Sequence, residues 1–128
     1  GPDSESEQWV SAVANDAGAP FTVLEKVRRG DRDVEIFVKH AADFNGRTPV
    51  LVDDTISSGR TMIEAVRLIS ARNATAPVCI AVHGLFADNS DVLLAKAGAR
   101  VVTSNSILHE TNVIEVDELL ARAVGEFV

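Results

Sequence analysis

One nine-residue segment constrains the fold more than any other part of this sequence. It spans residues 53–61 and consists of Asp-Asp-Thr-Ile-Ser-Ser-Gly-Arg-Thr. An apolar run over residues 49–52 precedes it, as expected of a strand buried on both faces. Apolar residues at helical spacing follow it, namely Met62, Ala65, Val66 and Ile69. The segment therefore predicts a strand, a polar turn and an amphipathic helix in succession, which is the building unit of a parallel α/β fold.

The rest of the chain continues the alternation of strands and helices. Helices are predicted over residues 5–17, 62–69, 91–97 and 117–124, and strands over residues 34–38, 78–82 and 100–103, with a further apolar, β-rich stretch at 21–24, a polar loop at 28–33 and a turn at 45–46. Gly18 and Gly98 close two of the helices, and Asp117 is predicted to cap the last one. This order predicts one α/β domain over residues 1–128, with a mostly parallel, doubly wound sheet flanked by helices.

The start of the chain departs from that pattern. Gly1, Pro2 and Asp3 lead directly into a helix. A doubly wound unit normally begins with a strand that delivers its loop to the carboxyl edge of the sheet. We therefore expect this sheet to lack its first strand.

Composition excludes several classes of function. With 128 residues, 46% of them apolar, the chain can build one packed core. Its net charge of −7 would repel both nucleic-acid phosphates and anionic lipids, so neither partner is expected. The single cysteine, Cys79, lies in an apolar run and is predicted to be a core residue. No segment has the pattern of a membrane span or a signal peptide, so we expect a cytoplasmic protein.

Residues 53–61 suit a ligand with a phosphate at one end and a sugar diol at the other. Free amides at the start of a helix attract an anion, and Gly59 lets the backbone approach it closely. The two acids would repel a phosphate, so they belong at the diol, where they accept hydrogen bonds. The predicted ribose 5-phosphate site comprises Asp53, Asp54, Ser57, Ser58, Gly59, Arg60 and Thr61. A structural alternative stays open, in which the acids merely end the strand and Ser58 caps the helix.

The segment over residues 50–62 resembles the phosphoribosyl-diphosphate (PRPP) binding motif shared by type I phosphoribosyltransferases and ribose-phosphate diphosphokinases, the PRPP synthetases. The rest of the chain is similar to the synthetases. Gly-Pro-Asp at 1–3, Glu-Lys-Val-Arg-Arg at 25–29, Val-His-Gly-Leu-Phe at 82–86, Thr-Ser-Asn-Ser-Ile at 103–107 and the helix at 116–124 follow that family's order. The resemblance covers essentially the whole chain and corresponds to the C-terminal half of a synthetase.

The resemblance implies an enzyme of nucleotide biosynthesis that transfers the β,γ-diphosphoryl group of Mg-ATP to ribose 5-phosphate, giving PRPP and AMP. On this basis Asp53 and Asp54 hold the ribose hydroxyls, and residues 57–61 hold the 5-phosphate. The family's ATP-binding residues lie in the N-terminal half and on neighbouring subunits. This half alone is therefore expected to bind ligand without turnover, and the whole protein is expected to form homo-oligomers.

The resemblance also implies three charged residues at the reacting phosphates. Lys26 and Arg28 match the basic pair of a mobile catalytic loop, where cations stabilise the charge on the transferring group. Asp3 matches an acid that helps to place Mg²⁺. A solvated basic turn between strands is the structural alternative for the first two. Helix capping, through a Ser4-x-x-Glu7 capping box, is an equal alternative for Asp3.

Some positions leave the function open. Ser57 stands where synthetases often carry an acid and Arg60 where they often have glycine, which either tightens phosphate binding or changes the ligand. His83 follows a strand and suits a nucleotide site or a hydrogen-bonded structural role. Trp9 is predicted to lie in the core or at a subunit interface. Two other hypotheses remain: a phosphoribosyltransferase acting on a base, and a non-catalytic subunit that senses PRPP.

Overall fold

A computed structural model describes residues 1–28, 34–38, 46–72 and 75–128. The helices are α1 (Glu7–Ala17), α2 (Arg60–Ser70), α3 (Ser90–Lys96) and α4 (Asp117–Gly125), and a 3₁₀ turn covers Ala87–Asn89. The strands are β1 (Leu24–Arg28), β2 (Val34–Val38), β3 (Val50–Ile56), β4 (Val78–Gly84), β5 (Arg100–Ser104) and β6 (Asn112–Ile114). The predicted loop residues 29–33 and the predicted turn residue Asn45 lie outside the described part.

A four-stranded parallel sheet organises the chain. Its strand order is β3-β4-β5-β6, so each strand lies beside the next one in sequence. Helix α2 provides the crossover from β3 to β4 and α3 the crossover from β4 to β5, whereas residues 105–111 connect β5 to β6 without a helix. The predicted parallel α/β fold is confirmed. Strands β1 and β2 form a separate antiparallel hairpin, with Lys26 opposite Ile36.

The core lies between the sheet and its helices, and α2 contributes most to it. The hydrophobic cluster consists of Leu24, Leu51, Ile56, Met62, Ile63, Ala65, Val66, Ile69, Cys79, Ala81, Leu94 and Ala99. Every helical-face residue predicted for α2 is therefore buried. Burial raises the pKa of the Cys79 thiol to about 12, so the thiol stays protonated and unreactive. Its interpretation as a core residue is confirmed.

The outer edge of β3 is open in the described part of the chain. An apolar groove of about 870 Å³ runs along it, lined on one side by α1 through Val10 and Val13 and on the other by Val50 and Leu51. Val50 is 48% exposed although it belongs to a parallel strand. Parallel strands are normally buried. The groove thus agrees with the expectation that the first strand of the sheet is missing.

Three elements differ from the predicted pattern. The strand predicted at 21–24 begins only at Leu24, because the backbone around Thr22 and Leu24 instead hydrogen-bonds with Gly1. Strand β3 continues four residues beyond its predicted end at residue 52. Strand β6 was not predicted, because three residues are too few to show a strand pattern.

The predicted cap of the last helix is wrong. Val116 is the cap residue of α4, and Asp117 lies in its first turn. The side chain of Asn105 bridges this end of the helix: its amide donates to the Asp117 carboxylate at 2.9 Å, and its oxygen accepts from the Val116 amide at 3.0 Å. Asp117 therefore fixes the helix to the loop after β5. None of the described helices has the length and apolar content needed to span a bilayer.

Candidate functional site

The acidic pair belongs to strand β3 rather than to the loop. The parallel ladder continues beyond it, pairing Thr55 with His83 and Ile56 with Gly84. Ile56, the last residue of β3, is 2% exposed and packs in the core. Asp53 and Asp54 therefore lie on rigid backbone near the carboxyl edge of the sheet, where ligands bind in open α/β folds. Only residues 57–59 form the connection to α2.

Gly59 sets the shape of that connection. Its φ of +69° lies in the left-handed region, which glycine adopts without steric cost. A Cβ at this position would lie 2.8 Å from the Cβ of Ser90, so the backbone touches α3 directly. Gly59 is also the cap residue of α2 and has no side chain to cap it, so the capping role predicted as the alternative for Ser58 is wrong. The first amides of α2 are therefore left for an anion.

Ser90 supports the loop over residues 57–59 through a hydrogen bond. The sequence analysis did not predict this residue as part of the site. This residue is fully buried at the start of α3, and its hydroxyl donates to the carbonyl oxygen of Ser57 at 2.7 Å. The bond turns that carbonyl toward α3. A carbonyl oxygen facing a bound phosphate would repel it, so the contact favours anion binding on the other side of the loop. The two residues are 33 apart in sequence, and no local pattern signals the contact.

The remaining predicted site residues lie on both sides of the start of α2. Arg60 is its first residue and is exposed, and Thr61 is half-buried. Ser58 is half-buried and Ser57 exposed, one residue further back. The structure thus brings the predicted segment together at one helix end, with a cation and three hydroxyls around uncapped amides.

The two carboxylates of the pair differ in their surroundings. Burial raises the pKa of Asp53 to about 6. The Asp54 amide donates a hydrogen bond to the Asp53 carboxylate at 3.0 Å and opposes this shift. The nearby carboxylates of Asp3 and Asp54 increase the shift. Asp54 is exposed. Asp53 is therefore an acceptor whose negative charge is poorly solvated, and a cation or a hydroxyl donor nearby would stabilise it.

Asp3 shares a small cavity with the pair. The cavity has a volume of about 260 Å³ and is lined by Asp3, Glu5, Gln8, Trp9, Asp53 and Asp54. Trp9 is 46% exposed at its rim, so the prediction of a core position is wrong for this residue. Within the described ranges, no three side chains converge closely enough to hold a metal ion by themselves.

The carboxylate of Asp3 also stabilises the start of α1. It accepts from the Ser6 amide at 3.1 Å, and the buried Ser6 hydroxyl donates back to the Asp3 carbonyl at 2.6 Å. The cap residue of α1 is Ser6, not Ser4 as the predicted capping box requires. Asp3 thus has a local structural role and borders the acidic cavity at the same time.

The predicted basic pair lies on strand β1 and not in a turn. The ammonium of Lys26 forms an ion pair with Glu64 of α2 at 2.9 Å. This contact brings the hairpin alongside the helix that begins at the loop. Arg28 is the last residue of β1, and its side chain lies outside the described part. Glu64 is a second residue that sequence reasoning missed, since it is 38 residues away from its partner.

His83 lies at the carboxyl end of β4 and is exposed. Its Nδ1 is 2.8 Å from the Ser106 hydroxyl, which itself donates to the Val82 carbonyl at 3.0 Å. The Ser106 hydroxyl therefore links the imidazole to the backbone of β4. The hydrogen-bonded structural interpretation of His83 agrees with this geometry.

Comparisons with known proteins place this site in a family context. Residues 1–121 match the phosphoribosyl transferase domain family. The chain is 32% identical to the ribose-phosphate pyrophosphokinase of Sulfurisphaera tokodaii, covering 96% of this chain and 44% of that protein. It is 33% identical to ribose-phosphate pyrophosphokinase 2 of Archaeoglobus fulgidus, covering 96% of this chain and 45% of that protein. The chain therefore spans less than half the length of these curated relatives.

Solved structures agree with the sequence comparisons. The phosphoribosylpyrophosphate synthetase of Mycobacterium smegmatis superposes with a TM-score of 0.75 at 28% identity, over 99% of this chain and 44% of that one. The orotate phosphoribosyltransferase of Aeropyrum pernix superposes with a TM-score of 0.58 at 17% identity, over 92% of this chain and 59% of that one, which shows a shared fold. The predicted resemblance to one half of a synthetase is confirmed.

The Ser90 contact leads to a prediction about the loop. Ser90→Ala removes the hydroxyl that donates to the Ser57 carbonyl. Because this hydrogen bond is lost, we expect the free energy of unfolding to fall by about 1 kcal/mol. Ser104→Ala is a matched control, because its buried hydroxyl donates to the Val82 carbonyl at the same 2.7 Å. In ¹⁵N–¹H spectra, only Ser90→Ala should shift the amides of residues 57–61. Unchanged loop amides in that variant would show that the bond does not position the loop.

The raised pKa of Asp53 predicts a pH-dependent stability. Because the folded-state pKa of about 6 exceeds the ordinary 3.8, the folded state binds the proton more tightly, and stability falls as the pH rises between these values. Asp53→Asn removes this penalty. We expect the variant to gain stability relative to the native chain at pH 8 and to lose that gain near pH 4, measured by urea unfolding. Asp16→Asn on exposed α1 is the control; an equal gain in both variants would contradict the prediction.

Proposed function

The chain belongs to the phosphoribosyl transferase domain family, and from that premise we propose that it binds ribose 5-phosphate as one half of a PRPP synthetase. The complete enzyme would transfer the β,γ-diphosphoryl group of Mg-ATP to ribose 5-phosphate. The observation that carries the proposal is the start of α2, whose cap residue Gly59 has no capping side chain, three residues after a strand that carries two acids near its carboxyl end. The similarity to ribose-phosphate pyrophosphokinases supports the same substrate.

Charge placement orients the ligand in this proposal. The 5-phosphate binds the amides, hydroxyls and Arg60 guanidinium at the start of α2, where the helix dipole favours an anion. The ribose hydroxyls donate to Asp53 and Asp54, which lie on β3 before the loop that leads to α2. The carboxylate of Asp53 is poorly solvated. Hydrogen bonds from two ribose hydroxyls to Asp53 and Asp54 stabilise the negative charges of both carboxylates. A reversed ligand would put phosphate against carboxylate and is excluded by repulsion.

The acidic cavity fits a magnesium ion. Asp3 borders it together with Asp53, and the raised pKa of Asp53 reflects in part the unfavourable proximity of the other carboxylates. Mg²⁺ prefers one or two carboxylates together with substrate oxygens and waters, so a complete cage of protein ligands is not needed. When bound, the ion would neutralise charge on the diphosphate. We propose that Asp3 is the protein residue that helps to place it.

Lys26 and Arg28 are proposed as the cations that act on the transferring diphosphoryl group. Both belong to β1, in a hairpin that is not hydrogen-bonded into the four-stranded sheet. Such cations contribute by stabilising the negative charge of the transition state rather than by proton transfer. The ATP-binding groups would come from the other half of the protein. The isolated chain is therefore proposed to bind ligand without turnover.

We further propose that residues 1–128 act as a single domain within a cytoplasmic homo-oligomer. Exposed apolar residues on α4 support a subunit contact, since Leu119 and Leu120 are 69% and 58% exposed. The lone buried thiol of Cys79 suits a reducing compartment. Nucleic-acid and membrane partners remain excluded by the net charge of −7. The similarity to the orotate phosphoribosyltransferase extends to fold alone and does not favour transfer to a base.

Calorimetric titration tests the proposal. The chain should bind ribose 5-phosphate with a Kd of about 1 mM or tighter, and Asp54→Asn and Ser58→Ala should each weaken binding about tenfold, because each loses a hydrogen bond to the ligand. Ser11→Ala, at an exposed hydroxyl of α1, should leave the Kd unchanged. With Mg-ATP present the chain should form no AMP. Absence of binding heat, or equal binding by all the variants, would refute the site.

A further inference from the structure

The proposed reaction requires the ammonium of Lys26, and this ammonium forms an ion pair with Glu64. The two side chains meet at 2.9 Å and are 41% and 42% exposed, so water reaches the pair. Glu64 is the only acid of α2 and lies one turn beyond Arg60. Four residues of helix span about 6 Å, so this carboxylate lies close to the proposed phosphate site.

A carboxylate in that position would weaken anion binding unless a cation neutralised it. Lys26 provides that cation through the ion pair. One ammonium carries a single positive charge, so it cannot neutralise both Glu64 and a bound diphosphate at full strength. The two anions therefore compete for Lys26.

We propose that Glu64 is a positioning residue that holds Lys26 while the site is empty, and that the diphosphoryl group of PRPP takes Lys26 from it. This inference rests on the proposed function. Ribose 5-phosphate has no diphosphoryl group and binds without breaking the pair. Glu64 thus selectively lowers affinity for the diphosphoryl-bearing ligand, which favours release of the product over release of the substrate.

The expected size of the effect follows from the exposure of the pair. Half-exposed ion pairs contribute little, so removing the competitor should strengthen PRPP binding by about two- to fivefold. Part of any gain comes from removing a negative charge near an anionic ligand, and this part acts on both ligands. Because PRPP carries more negative charge than ribose 5-phosphate, the ratio of the two affinities is compared with and without Lys26 to isolate the contribution of that residue.

A double-mutant cycle measures that ratio. Both ligands are titrated at one fixed Mg²⁺ concentration and ionic strength into the native chain, Glu64→Gln, Lys26→Met and the double variant, after thermal unfolding has shown that each is folded. We expect Glu64→Gln to raise the ratio two- to fivefold in the native background and by a smaller factor in the Lys26→Met background, where only the charge contribution is left. Glu118→Gln removes one acid from the exposed Arg122 ion pair of α4 and should not change the ratio.

The outcomes separate this inference from the function on which it rests. If the native chain binds ribose 5-phosphate and PRPP but Glu64→Gln leaves the ratio unchanged or lowers it, Glu64 does not compete for Lys26. An equal rise in the Lys26→Met background would attribute the effect to charge alone and overturn the inference equally. Failure of the native chain to bind either ligand would instead overturn the proposed function, before any variant is compared.

Discussion

The contact between Gly59 and Ser90 is the constraint on which the rest of the site depends. The left-handed glycine turns the chain from β3 into α2, and its missing Cβ lets α3 support the turn at van der Waals distance. The Ser90 hydroxyl then fixes the Ser57 carbonyl on the inner side of the loop. The first amides of α2 have no side-chain cap and are left for the anion that we propose to bind at the helix start.

Local charge, rather than net charge, governs the ligand binding that we propose. A chain with a net charge of −7 repels anions at long range. It can bind a phosphate only through groups within a few ångströms, and the start of α2 concentrates them. The acids lie at the opposite end of the site, where burial keeps the Asp53 pKa at about 6. This separation of charge orients a ligand that carries both a phosphate and hydroxyls.

The sequence predicted most of the architecture because its signals are local. Gly18 and Gly98 mark helix ends through their left-handed conformations, and the helical spacing of apolar residues in α2 matches its buried face. The extent of β3 could not be predicted, since it depends on pairing with β4 as far as Gly84. The contacts of Ser90 and Glu64 were equally invisible, because they join segments more than 30 residues apart. Sequence therefore identified the segment that we propose as the site, and tertiary packing supplied the contacts that support it.

A crystal structure of the chain with ribose 5-phosphate tests the central claim most directly. The account predicts phosphate oxygens about 3 Å from the backbone amides at the start of α2. It also predicts ribose hydroxyls on the carboxylates of Asp53 and Asp54, with the Ser90 bond to Ser57 intact. A phosphate bound elsewhere, or a ligand with its sugar toward α2 and its phosphate toward the acids, would contradict the account.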